Sequence, residues 1–126
     1  MTYKRFSYKK FFNSWMYASR GVVNLLKTEQ NARIHLIYAI VVALLAYFFS
    51  ISRLEAIILF FAVTLVIAVE IINTAIERLL DDIRPESCKE AEFIKDAMAG
   101  AVLIAATIAL VVTILIFYPY FSKLSA

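Results

Sequence analysis

The sequence predicts an all-α membrane protein, with an N-terminal amphipathic surface helix followed by three transmembrane helices. Its 126 residues are 63% hydrophobic and 18% charged, against about 45–50% and about 25% in ordinary soluble domains. Only two glycines and two prolines are present to break structure, so few turns and long helices are expected. Three apolar runs also have the length, about 20 residues, that crossing the hydrocarbon requires. A chain of this size reads as a single integral-membrane domain, residues 1–126.

The first helix is expected over 8–27. Phe12, Trp15, Met16, Ser19, Val22, Val23 and Leu26 fall on one side, while Lys9, Lys10, Asn13, Arg20, Asn24 and Lys27 are distributed elsewhere around it. This segment is too polar to span and suits the membrane interface; a helix resting on a partner protein has the same pattern. Residues 1–33 carry seven basic side chains against Glu29 alone, a charge of +6 that leaves −3 for the remainder. A basic leader of this kind suits an anionic lipid surface, and no nucleic-acid recognition motif accompanies it. No short apolar core follows the basic start, so the segment is not read as a cleaved signal peptide.

The run 34–51 (IHLIYAIVVALLAYFFSI) corresponds to about 27 Å of helix and forms the first span. A tight connection, Ser52-Arg53-Leu54-Glu55, returns the chain to a second span over 56–76 (AIILFFAVTLVIAVEIINTAI). A polar loop is expected over 82–92, and a third span over 97–117, which contains no charge. The small residues Ala97, Ala99, Gly100 and Ala101 at its start permit close helix approach. Tyr118 and Tyr120 flank Pro119 where interfacial aromatics are favoured. Lys and Arg gather on the N-terminal segment and around the second loop (Arg78, Arg84, Lys89, Lys95), leaving Arg53 and Lys123 opposite. This distribution predicts a cytoplasmic N-terminus and an outside C-terminus. Cys88 is the single cysteine, which excludes an internal disulfide and reads as an ordinary reduced thiol.

The chemistry concentrates where the second span ends. Glu70, Asn73, Glu77 and Asp81 are spaced three, four and four apart, which places them within an arc of about 80° on one helical face. A carboxylate near the hydrocarbon is costly, about 2.5–3.5 kcal/mol even on lenient scales, so Glu70 needs a reason. It could be a general base for a hydroxyl held in the lipid, or an interhelical hydrogen-bonding group with Asn73 as its partner. Glu29 and Glu77, converging from separate helices, could hold Mg²⁺ with water and phosphate completing the shell; alternatively they are solvated charges or helix-dipole partners. Lys95 could reach a phosphate and Asp96 a nucleotide, or the pair could be a membrane-edge anchor and a helix-start acid. His35, the only histidine, reads as a satisfied interfacial imidazole, with lining the site as the alternative. No glycine-rich phosphate loop is present, so any phosphate would be bound by side chains.

The runs VEIINTAIERLLDDI, KDAMAGAVLIA and YASRGVVNLLKTEQNARIH resemble the small bacterial integral-membrane lipid kinases, the prokaryotic diacylglycerol kinase and undecaprenol kinase family. The resemblance extends from about Lys10 to Phe117. It implies ATP-dependent phosphorylation of a membrane lipid alcohol by a homotrimer in the bacterial cytoplasmic membrane, with active sites shared between neighbours. Carried over by position, it implies that Glu70 is the catalytic base with Asn73 beside it, and that Glu29 and Glu77 hold Mg²⁺ with the ATP phosphates. It implies nucleotide contacts at Lys10, Tyr17, Glu29, Glu77, Lys95, Asp96 and the segment Glu86, Ser87 and Cys88, lipid-substrate contacts at Glu70 and Ala99, and a supporting role for Asp81. Lys10 stands where the diacylglycerol-directed enzymes can carry Arg, and a lysine cannot make the same bidentate contact. The patterns around Tyr17, Glu29 to His35 and Ala97 to Leu103 look more like the undecaprenol-directed branch. Undecaprenol is therefore the expected substrate and diacylglycerol the alternative. A helix-bundle scaffold or a proton or ion pathway would also use an intramembrane Glu–Asn pair.

Overall fold

A computed structural model describes residues 5–84, 86 and 88–126 as four helices. These are α1 (Tyr8–Thr28), α2 (Gln30–Phe49), α3 (Arg53–Ile83) and α4 (Lys89–Leu124). The last three are long and apolar enough to cross a membrane. At 1.5 Å per residue, the 31 residues of α3 and 36 of α4 measure about 46 and about 54 Å, well beyond the roughly 30 Å of hydrocarbon. Both helices therefore project past it.

This is where the structure departs from the expected boundaries. The polar stretch 82–92 is mostly helical, leaving only 84–88 between α3 and α4, because Glu, Arg and Lys end an apolar run without ending a helix. Likewise Gln30–Arg33 already belongs to α2. Pro119 lies inside α4; near a helix end proline removes one backbone donor, and α4 continues to Leu124.

The turns have local causes. Glu29 alone separates α1 from α2, with extended backbone (φ −110°, ψ 123°). Ser50 ends α2 in the left-handed region (φ 50°), and the Ser50 and Ile51 amides donate to Tyr47 and Ala46 carbonyls, closing the last turn. The expected connection 52–55 is in fact the first turn of α3. Ser52 Oγ accepts from the Glu55 amide at 3.2 Å while Glu55 Oε2 accepts from the Ser52 amide at 2.8 Å, a reciprocal capping box.

α4 packs chiefly along α3, α2 lies against α3, and α1 meets α2. One buried cluster joins Val42, Leu59, Ile116 and Phe117, with Phe49 against it. A second joins Ala62, Val66, Ala105 and Ala109, where small side chains let α3 and α4 approach closely. That contact falls two turns beyond the small-residue run 97–101, in which Ala97 and Ala99 are exposed. Tyr38 ties α2 to α4 by donating to the Ala109 carbonyl at 3.0 Å, and it also shares a hydrogen bond with the Thr113 hydroxyl. No residue of α1 is buried within the chain.

Candidate active site

Along α3 the buried positions Leu59, Ala62, Val66, Glu70 and Thr74 recur every three or four residues, the period that keeps side chains on one face. Glu70 thus occupies a packing position that most of its neighbours fill with apolar groups. It is 3% exposed, and its Oε2 is buried without a hydrogen-bond partner among the described residues. An ionisable oxygen left so costs the bundle stability, which marks the position as a functional candidate.

Beside it, from α2, His35 places Nε2 4.0 Å from Glu70 Oε2. Both line a cavity of about 60 Å³ whose walls include Val22, Leu25 and Leu26 of α1 and Ile67 of α3. The carboxylates of Glu29 and Glu77 also act on Glu70 electrostatically. The polar stripe on α3 is graded: Glu70 is buried, Asn73 half-buried, and Glu77 and Asp81 exposed. Asn73 does not partner Glu70 Oε2, so their spacing on one face does not produce that bond.

Glu29, at the corner between α1 and α2, accepts from Arg78 Nη2 at 2.6 Å, and the same nitrogen donates to the Thr28 hydroxyl. Arg78 thereby fastens the corner to α3, next to Glu77. In the sequence Arg78 bears only on orientation; the signal for its role is an Arg directly after a candidate metal-binding Glu. Across the other flank, Lys95 donates to Asp81. That hydrogen bond holds the Lys95 ammonium above its ordinary pKa, with the charges of Asp81, Glu77 and Glu92 acting in the same direction and desolvation opposing them.

Glu29, at the corner between α1 and α2, and Glu77, two turns along α3 from Glu70, both bear electrostatically on Glu70, and hard oxygen donors of this kind fit Mg²⁺. Among the described residues no three His, Cys, Asp or Glu side chains converge as a ready metal cage. An ion held here would therefore draw further ligands from water and phosphate.

The other candidates are mostly at the surface of the bundle. Lys10 and Tyr17 are exposed on α1, Asp96 and Ala99 are exposed on α4, and Glu86 is exposed between α3 and α4. Ser87 lies outside the described residues. Cys88 immediately precedes α4, half-buried, with Sγ accepting from Arg84 Nη1 at 3.8 Å.

A bundle with three helices able to span a bilayer, a buried unpartnered carboxylate and a cluster of acids and bases beyond it has the composition of a membrane-embedded enzyme. The pattern of the prokaryotic diacylglycerol kinase family matches residues 16–117. The chain is 34% identical over 110 residues, 87% of its length and 89% of the relative's, to the undecaprenol kinase of Bacillus subtilis (strain 168). It is 35% identical over 100 residues to a diacylglycerol kinase of Synechocystis sp., covering 79% of this chain and 57% of that one. It is 29% identical over 103 residues to the diacylglycerol kinase of Haemophilus influenzae, covering 82% and 87%. The chain belongs to the prokaryotic diacylglycerol kinase family and is a lipid kinase.

Proposed function

We propose that this kinase transfers the γ-phosphoryl group of ATP to the hydroxyl of undecaprenol. The observation that carries the reading is Glu70: a buried carboxylate with an unpartnered oxygen, on the packing face of a spanning helix, with Glu29 and Glu77 beyond it toward water. A lipid alcohol entering sideways from the bilayer meets Glu70, while ATP docks from the cytoplasm among Glu29, Glu77, Lys95 and Asp96. Glu70 accepts the hydroxyl proton as the lipid oxygen bonds to the γ-phosphorus, and the bond to the β–γ bridging oxygen breaks to release ADP. Mg²⁺ bound between Glu29, Glu77 and the phosphates would neutralise charge there. The chain's own contribution is to position the two substrates in line and to hold the base where water is scarce.

In this reading α1 lies in the cytoplasmic membrane interface, Lys10 and Tyr17 reach nucleotide in the assembled enzyme, and the protein is a homotrimer whose neighbours complete each site. Undecaprenol is favoured by the Bacillus relative, which matches along nearly the whole of both chains. Diacylglycerol is the second reading, supported by the two relatives of that name.

Purified protein should move label from γ-labelled ATP to undecaprenol faster than to diacylglycerol under identical conditions, and Glu70→Gln should lower transfer by at least about 100-fold. Faster labelling of diacylglycerol would select the second reading. Transfer to neither lipid would end both.

A further inference from the structure

Among the described residues, His35 is the one titratable side chain close to Glu70 that the proposed reaction does not use. It comes from a different helix, and its side chain is 17% exposed against 4% for Glu70. Its Nε2 stands 4.0 Å from the very oxygen, Oε2, that lacks a hydrogen bond. That distance is about 1 Å beyond hydrogen-bond range. The cavity of about 60 Å³ lined by both residues gives the imidazole room to close the difference. Its other walls are apolar, including Leu25, Leu26 and Ile67. Glu29 and Glu77, which also act on Glu70, accept rather than donate as carboxylates and so cannot satisfy its oxygen.

We propose that His35 is a positioning residue for Glu70: its Nε2–H closes onto Oε2 during the reaction and fixes the carboxylate so that Oε1 faces the lipid hydroxyl. The inference rests on Glu70 being the base of the phosphoryl transfer. A base free to rotate about its terminal torsion aims neither oxygen at the hydroxyl proton for part of the time, and a misplacement of about 1 Å can cost roughly 100-fold in rate. A donor locked on one oxygen removes that freedom without occupying the other.

His35→Leu and His35→Gln separate this role from packing. Leucine fills the apolar wall but donates nothing, whereas glutamine keeps an N–H donor of similar reach. With the full-length enzyme in lipid bilayers, His35→Leu should lower kcat about 10- to 100-fold, leave KM for ATP within about twofold, and have its kcat largely restored in His35→Gln. A packing role predicts the opposite order, with Leu at least as active as Gln, and that order overturns the proposal. Because His35 is the only histidine, its imidazole ¹⁵N resonances can be followed in the wild-type protein without assays. Replacing Glu70 by Gln should shift them, and unmoved resonances also overturn the proposal. Glu70→Gln retaining wild-type turnover would instead remove the reading of Glu70 as base, and the role of His35 with it. Normal kinetics in both His35 variants alongside an inactive Glu70→Gln would remove His35 alone.

Discussion

Arg78 reaches from α3 to the corner between α1 and α2, where its Nη2 lies 2.6 Å from Glu29 Oε1 and also donates to the Thr28 hydroxyl. Both bonds use one nitrogen, so the Nη1 and Nε donors of Arg78 carry no bond among the described residues. A guanidinium with open donors beside two acids is suited to a phosphate oxygen. The pair is substantially exposed, 52% for the Arg78 side chain and 34% for Glu29, so its share of stability is about 1 kcal/mol or less. Arg78→Ala is therefore expected to leave the melting temperature nearly unchanged while lowering kcat/KM for ATP about tenfold, with Arg78→Lys intermediate because it keeps charge but loses the fork. Parallel thermal melts and ATP titrations check this. Unchanged ATP kinetics would reduce the contact to a structural tie.

Glu77 is exposed on α3 two turns from Glu70 and acts on it electrostatically. If it shares an ion with Glu29, Glu77→Gln removes one anionic ligand and leaves an amide of the same shape. The Mg²⁺ concentration for half-maximal activity should rise about tenfold or more, with helix content by circular dichroism unchanged and activity recovered at high Mg²⁺. A lost rate that excess Mg²⁺ cannot restore would argue against a metal-binding role.

The helical class and three spans were legible because apolar runs of helical length, with few glycines or prolines between them, leave little else to build. The helix ends were not. Glu77 to Ile83 and Lys89 to Asp96 extend α3 and α4 through charged sequence, since polarity marks where a helix leaves lipid rather than where it stops. The stripe from Glu70 to Asp81 was readable from its period, because residues on one helix share a face by geometry alone. The approach of His35 to Glu70 and the Arg78–Glu29 pair were not, as both join different elements and depend on how those pack. Within one chain the close α3–α4 contact falls at Ala105 and Ala109, a placement that likewise depends on packing between helices.

Lys95 and Asp81 bridge α4 and α3 at the aqueous end of both helices. The folded-state pKa of Lys95 is raised, so the stability the pair contributes is fully present below the ordinary lysine value of about 10.4 and is lost only as pH rises through the raised folded value. From about pH 6 to about pH 9 this contribution should be constant. Lys95→Met should consequently weaken ATP binding by a similar factor across that window, measured as KM at several pH values. A defect that grows or vanishes between pH 6 and about pH 9 would mean that another group titrates at the site.

At the far end of α3, Tyr120 donates to Glu55 Oε2 at 2.7 Å, joining the C-terminal part of α4 to the capping box that starts α3. The hydrogen bond from Tyr120, followed by those from the Ser52 amide and hydroxyl, holds the Glu55 carboxyl below its ordinary pKa, and burial opposes them only weakly. A depressed folded value means that these bonds stabilise the fold above the ordinary glutamate value of about 4.3 and are lost as pH falls through the lower folded value. Tyr120→Phe deletes the largest of them while keeping the ring that packs near Phe49. The variant should melt below wild type at neutral pH, and the gap should close in acid once Glu55 is protonated in both. Glu55 precedes Glu70 by fifteen residues on one helix, about 22 Å along its axis, so turnover at neutral pH should match wild type wherever the protein remains folded. Melting curves across the acid range, paired with a kinase assay at pH 7, read both outcomes. A melting difference that persists unchanged below pH 3 would show that Tyr120 acts through packing and not through the carboxylate, and a rate loss at pH 7 would show that the two ends of α3 are mechanically coupled.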